Sequence, residues 1–269
     1  MKLFRYYDDQ NALRTGMVCG GAYFSASAQL EEIIAGAVPA PAEPLEENSI
    51  RFAPAAVAAP EKILCVGLNY QAHQEETNLR NSAAFPPLFC KFRNSLAAHE
   101  QTLRLPESAF KFDYEVELVV IIGKTARKVS EAEAEDCIFG CTVGNDFSAR
   151  DLQMATSQWL PGKACDDFAP VGPCIVTKDE LDLGRLSLSC RVNGEERQRG
   201  NTADMIFSCA QIIHRISQTI TLVPGDMIFT GTPSGVILGK PADHQVWLRP
   251  GDTVEVCVEG IGTLRNRLG

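Results

Sequence analysis

The residues best placed to do chemistry are three carboxylates carried on two short segments. In Asp113-Tyr114-Glu115-Val116-Glu117-Leu118-Val119-Val120 two glutamates stand two apart. Strand side chains alternate faces, so Glu115 and Glu117 point the same way, roughly 7 Å apart. A lone pair of this kind is commonly a solvent-facing edge with Lys or Arg partners. Here the chain continues as VVIIG, an uninterrupted apolar run typical of a strand buried on both faces. Carboxylates at the end of such a strand are partly desolvated. Their natural partner is a hard divalent cation, and Mg2+, Mn2+ and Ca2+ all take oxygen ligands.

Asp146 is the third candidate, in Gly144-Asn145-Asp146-Phe147-Ser148-Ala149-Arg150-Asp151-Leu152-Gln153. It falls where a strand passes into a helix, and a plain helix N-cap is the competing reading. Arg150 and Gln153, three apart, would share a helix face. Beside a cation, a guanidinium and an amide suit a substrate bearing a carboxylate and a carbonyl. Upstream, Asn69-Tyr70-Gln71-Ala72-His73-Gln74-Glu75-Glu76 reads as the start of a helix over 70–78. His73 and Glu76 are then neighbours, and a carboxylate that orients an imidazole is what a general base requires. A surface ion pair is the alternative. Lys163, in Pro161-Gly162-Lys163, reads by itself as a loop lysine.

These groups need a scaffold, and the composition bounds it. At 269 residues, with 45% hydrophobic and 22% charged residues, the chain can bury a large core without disulfide or metal staples. The net charge of −9 argues against nucleic acid or an anionic membrane as partner, since phosphate binding needs clustered Lys and Arg. Ten cysteines are scattered through apolar runs, with no C-x-x-C and no zinc spacing, so they read as small hydrophobes in a reducing compartment. Met1-Lys2-Leu3-Phe4-Arg5 leads into no apolar signal core and no run approaches a membrane span; the expected location is cytoplasmic.

The periodicity divides the chain into a small N-terminal region over 1–55, a linker at 56–60 and a main domain over 61–269. Lys2–Tyr7 and Met17–Phe24 read as strands and Ala28–Ile34 as a helix. The Ala/Pro-rich stretches between about 36 and 60 read as loop and linker. Strands are expected at Ile63–Gly67, Tyr114–Ile122 and Cys141–Asp146, with helix at Ser148–Met154. Ser130 with Glu133 makes a capping box. Asn193-Gly194 marks a hairpin after Leu186–Val192, and Asn201/Thr202 reads as the cap of one helix reaching Ser217. Strands outnumber helices without regular βαβ alternation, which points to an α+β fold. Neither a G-x-S-x-G elbow nor a P-loop is present.

Taken in order, N-Y-x-x-H-x-x-E, D-Y-E-x-E-L, N-D-F-S-A-R-D-L-Q and W-x-x-G-K-x-x-D-x-F-x-P-x-G-P resemble the fumarylacetoacetate hydrolase family. So do N-G-E, N-T-x-D-M-I-F and P-G-D-x-I-x-T-G-T-P-S-G-V further on, over about 61–269. The resemblance implies a mixed β-roll with a small N-terminal β-rich region, assembled as a homodimer. It implies Glu115, Glu117 and Asp146 as ligands of a divalent cation, Mg2+ first, with Mn2+ or Ca2+ as alternatives. His73 and Glu76 match a water-activating dyad on a lid helix, and Lys163 an active-site lysine. Arg150 and Gln153 match site-lining residues, and Thr232 a contact to substrate carboxylate. The implied substrate is a small 2-oxo or 2,4-dioxo acid, and the expected reaction is hydrolysis of its C–C bond. Decarboxylation of an oxaloacetate-like acid, isomerisation of a 2-hydroxyhepta-2,4-diene-1,7-dioate and non-catalytic binding of a small acid are the alternatives. The chain departs from the family's usual run at Ile237-Leu238-Gly239 and at Ala97-Ala98-His99-Glu100, which leaves the substrate open.

Overall fold

Among the described residues two large sheets and one two-stranded sheet organise the chain. The computed structural model describes residues 1–77 and 85–269, and its larger sheet has twelve strands. Across it run Pro41–Leu45, Ala22–Ala26, Leu13–Cys19, Lys2–Tyr7 and Ala169–Thr177. Ile138–Asn145, Val116–Ile122, Met227–Phe229, Ile63–Val66 and Leu88–Lys91 follow, with Arg51–Ala53 and Leu96–Ala97 paired at the side. The smaller, five-stranded sheet runs from Glu195–Asn201 through Ser187–Val192, Thr253–Val258 and Gly262–Leu268 to Thr102–Leu103.

The strand Val116–Ile122 shows why the sheets pack as they do. Val116, Leu118, Val120 and Ile122 enter the main core with Leu188, Val192, Val254, Val256 and Leu264 of the smaller sheet. On its other face Val119 joins Ile63, Cys65, Met227 and Phe229. All seven residues are buried, as the VVII run predicts. At about 1.5–3 kcal/mol for each large apolar side chain removed from water, this strand is a rigid platform. The result is the expected α+β roll, with short helices at its margins.

Several element boundaries differ from the sequence reading. The N-terminal stretch is a hairpin, Leu13–Cys19 with Ala22–Ala26, turned at Gly20-Gly21 where a single strand Met17–Phe24 is expected. The stretch from 36 to 60 is not all loop. Pro41–Leu45 pairs with Ala22–Ala26, and Arg51–Ala53 pairs with Lys2–Tyr7. Prolines are tolerated in Pro41–Leu45 because it is an edge strand, with a free side for a missing N–H. The expected helix from Asn201 to Ser217 is broken in two. Asn201 caps a 3-10 turn, Thr202–Asp204, and a capping box of Ser208 and Gln211 starts Cys209–Ser217. Between them the N–H groups of Ile206 and Phe207 donate to the carbonyl and side chain of Asn69, a tertiary use no local signal announces. The early helix is Gln71–Thr77; its expected end at Asn78 lies outside the described residues.

Candidate active site

Strand pairing brings the three carboxylates together. Val116 pairs with Asn145 across the antiparallel strands, so the residues flanking that pair, Glu115 and Asp146, are neighbours. The Asp146 N–H donates to the Glu115 carbonyl at 2.9 Å. Asp146 caps no helix: Ser148–Ala149 first pairs with Phe112–Asp113, and the helix is only Arg150–Gln153. Ligand oxygens of Glu115, Glu117 and Asp146 lie within 4.8 Å of one another, and all three residues are buried.

Such crowding requires positive charge. The Lys163 ammonium donates to Glu115 Oε2 at 2.6 Å and to Asp146 Oδ2 at 2.7 Å. Its helix, Leu160–Lys163, reaches this position through Gly162, where a Cβ would lie 2.3 Å from both the Ala149 carbonyl oxygen and the Gln153 nitrogen. Arg150 donates to Glu115 Oε1 at 2.6 Å, to Asp113 Oδ2 at 2.9 Å and to Gln153 Oε1 at 2.9 Å. Burial pushes the Glu115 carboxyl up, but Lys163 and Arg150 outweigh it and hold it well below the usual carboxylate range. Lys163 shows the mirror effect: burial favours its neutral form, and Asp146 and Glu115 overcome this and raise its pKa.

Glu117 is different. Among the described residues no cation stands at ion-pair distance from it, and the one donor to its Oε2 there is the Gly231 N–H, at 2.8 Å. Burial, then Asp146 and Glu115, raise its pKa well above the ordinary value. Four buried carboxylates, Asp113, Glu115, Glu117 and Asp146, thus face three buried cations, Lys91, Arg150 and Lys163. The uncompensated charge sits on Glu117, facing the other two acids; a proton would balance it, and a divalent cation would more than offset it. An all-oxygen set of this kind fits a hard cation.

His73 and Glu76 stand over this cluster on Gln71–Thr77. His73 Nδ1 lies 2.8 Å from Glu76 Oε1, and Glu76 Oε2 accepts the Gly235 N–H at 2.8 Å. Thr232 donates its hydroxyl proton to the Val116 carbonyl at 2.9 Å and accepts from Gln198 Nε2 at 2.9 Å. A hydrogen bond from Thr232 to a ligand carboxylate therefore requires breaking the bond to Val116. His73, the three carboxylates, Arg150, Gln153, Lys163 and Thr232 line one pocket, which Phe89, Trp159 and Leu238 wall on the apolar side. Glu76 reaches the pocket through His73.

Two groups escaped the sequence reading. Lys91 Nζ is fully buried, donates to the carbonyls of Phe147, Lys163 and Phe168, and lies 2.7 Å from Asp146 Oδ1. Its only signal was a lysine ending the apolar strand Leu88–Lys91. Asp113 shares the Glu115/Glu117 alternation yet belongs to a different pairing, Phe112–Asp113 with Ser148–Ala149.

The site and the fold define a buried three-carboxylate centre, whose oxygens could hold a cation, on a mixed β-roll, and comparison with known proteins gives the family. The family model for the C-terminal part of fumarylacetoacetate hydrolase matches residues 62–269. The chain belongs to the fumarylacetoacetate hydrolase family, whose enzymes include hydrolases, isomerases and tautomerases. It is 42% identical over 217 residues to the mitochondrial oxaloacetate tautomerase Fahd2a of Rattus norvegicus, covering 80% of this chain and 68% of that protein. Fumarylacetoacetate hydrolase from Exiguobacterium antarcticum superposes with a TM-score of 0.89 at 34% identity, covering 100% of this chain and 99% of the other. Fumarylpyruvate hydrolase from Pseudomonas aeruginosa, solved with Mn2+ and pyruvate, gives 0.71 at 32% identity over 81% of this chain and 97% of the other. All ten cysteines are free thiols, and among the described residues no helix is long and apolar enough to cross a membrane.

Proposed function

We propose that this enzyme hydrolyses the C3–C4 bond of a small 2,4-dioxo acid, an acylpyruvate, with Glu115, Glu117 and Asp146 holding Mg2+ or Mn2+. The observation that carries this reading is the His73–Glu76 contact at 2.8 Å above the carboxylate cluster. With Nδ1 engaged by the carboxylate, Nε2 is the nitrogen available to the pocket that His73 lines. When bound, the cation would supply Lewis-acid polarisation of the substrate's carboxylate and 2-oxo oxygens.

The chain's own groups do the rest. His73 Nε2 takes a proton from water as the oxygen adds to C4, and Glu76 stabilises the imidazolium that results. Lys163 and Gln153 are the donors for the oxyanion that develops at C4. The C3–C4 bond then breaks, the C4 fragment leaves as a carboxylic acid, and His73 returns its proton to C3 to give pyruvate. Changing His73 to Ala should lower acetylpyruvate hydrolysis by about 10²–10⁴-fold, the usual scale for a general base, with metal affinity retained. Undiminished turnover would refute the base assignment.

A second reading has its own support in the 42% identity to a protein named as an oxaloacetate tautomerase. On the same site His73 would move a proton between C3 and the 2-oxo oxygen without adding water. A panel of oxaloacetate, acetylpyruvate and fumarylpyruvate, each with Mg2+ or Mn2+ and with a chelated control, separates the readings. Release of pyruvate and acetate from acetylpyruvate supports hydrolysis. Enol–keto conversion of oxaloacetate with no acylpyruvate cleavage replaces it with tautomerisation.

A further inference from the structure

One backbone segment ties together three carboxylates in and around the site, Glu117, Glu76 and Asp113. Between Gly231 and Leu238, four N–H groups donate to side-chain carboxylates: Gly231 to Glu117, Gly235 to Glu76, and Ile237 and Leu238 to the two oxygens of Asp113. The Tyr114 hydroxyl donates to the Gly235 carbonyl at 3.0 Å, and Gln198 donates to that of Pro233 at 2.8 Å. The segment is a strap pinned from several sides.

Asp113 has the most demanding place in it. Fully buried, it accepts four hydrogen bonds: the N–H groups of Tyr114 and Ile237 on Oδ1 at 2.9 Å each, and Leu238 N–H at 3.0 Å with Arg150 Nε at 2.9 Å on Oδ2. It is not among the residues lining the pocket, nor one of the clustered metal-ligand candidates. Its charge nevertheless decides where Arg150 stands. The guanidinium is shared between Asp113 and Glu115, so without Asp113 its Nε loses its ion pair and the orientation of the fork toward the pocket is no longer fixed.

We propose that Asp113 is a positioning residue that ties the 231–238 strap to Arg150. The substrate-facing guanidinium and, through Gly235 and Glu76, the base dyad are thereby set by one shared piece of backbone. The proposal rests on the functional reading only for the class of ligand, a 2-oxo acid. Asparagine cannot substitute: one of its two terminal atoms would be an NH2, facing a donor from Arg150 or from the strap and leaving both unpaired.

The test uses Asp113→Asn in the full chain, with oxalate as a stable mimic of the chelating end of a 2-oxo acid. Oxalate is titrated at saturating Mn2+, Mn2+ is titrated separately, and amide exchange is followed by mass spectrometry over 71–77 and 231–239. The expected result is oxalate affinity weaker by about ten- to a hundredfold, the loss of one charged hydrogen bond. Mn2+ affinity should be unchanged, and exchange should accelerate in 71–77, which Asp113 does not touch. Unchanged oxalate affinity, unchanged exchange in 71–77, or a parallel loss of Mn2+ affinity each overturns the proposal. If Asp113→Asn does not fold, Ile237→Pro removes one strap donor and Ile237→Ala controls for the lost side chain. Equal oxalate affinity in those two variants also overturns it. A wild-type protein that binds no Mn2+ would sink the functional reading instead, and the exchange comparison would still judge Asp113.

Discussion

Replacing Lys163 with Met separates the electrostatic role of this residue from simple packing. The substitution keeps an unbranched stem of similar length and removes an ammonium held 2.6 Å from Glu115 and 2.7 Å from Asp146, with only 3% of the side chain exposed. Breaking a buried ion pair from one side costs about 3–5 kcal/mol. For a chain of this size each kcal/mol lowers Tm by roughly 2–4 °C, so the metal-free variant should melt about 6–20 °C below wild type. The loss should also grow with pH. Carboxylates left without Lys163 hold protons in the folded state that unfolding releases, so each step upward in pH favours the unfolded chain. A divalent cation supplies the missing charge, so saturating Mn2+ should raise the variant's Tm by more than it raises that of wild type, while hydrolysis stays lost. The assay is a thermal melt at two pH values, with Mn2+ and with chelator. A metal-free variant as stable as wild type, or equal Mn2+ shifts in both proteins, would refute the claim that these carboxylates depend on cationic compensation.

Other consequences are open to direct measurement. Glu117, pushed up by burial and by its two acidic neighbours, must give up its proton to ligate a cation, so binding of Mg2+ or Mn2+ should release about one proton. Affinity should then rise about tenfold per pH unit until Glu117 ionises in the free protein, and calorimetry in buffers of different ionisation enthalpy would show the release. Gly239→Ala would place a Cβ 2.6 Å from the Glu76 carboxyl carbon, displacing Glu76 from Gly235 and from His73. The expected outcome is a fall in kcat of at least about tenfold, within the range for an impaired general base, with a nearly unchanged melting curve. Replacing Lys91 with Met should cost about 3–5 kcal/mol, because it strips three carbonyls and Asp146 of one buried partner; a chemical denaturation curve would show it.

Much of this site was legible in the residue order because its chemistry is written in local spacing. Alternation along a strand puts Glu115 and Glu117 on one face, and the VVII run that follows predicts their burial. The i,i+3 spacing of His73 and Glu76 holds as a 2.8 Å contact, and that of Arg150 and Gln153 as a 2.9 Å hydrogen bond. The Ser130–Glu133 capping box and the Asn193-Gly194 hairpin form where the short-range signals place them. Each depends only on residues a few positions apart.

What the sequence alone left undecided depends on distant partners. Asp146 reads equally as a helix cap or as a third acid until the register of Val116 against Asn145 sets it beside Glu115. Lys163 reads as a loop lysine until Gly162 lets its helix pack onto Arg150–Gln153. Lys91 and Asp113 carry no local pattern, since apart from the Tyr114 N–H on Asp113 their partners lie 37 to 125 positions away. Strand pairing over such separations is set by burial of whole faces rather than by neighbouring residues. The charge balance of the centre, with Glu117 left facing two other acids, therefore exists only once the sheets have closed.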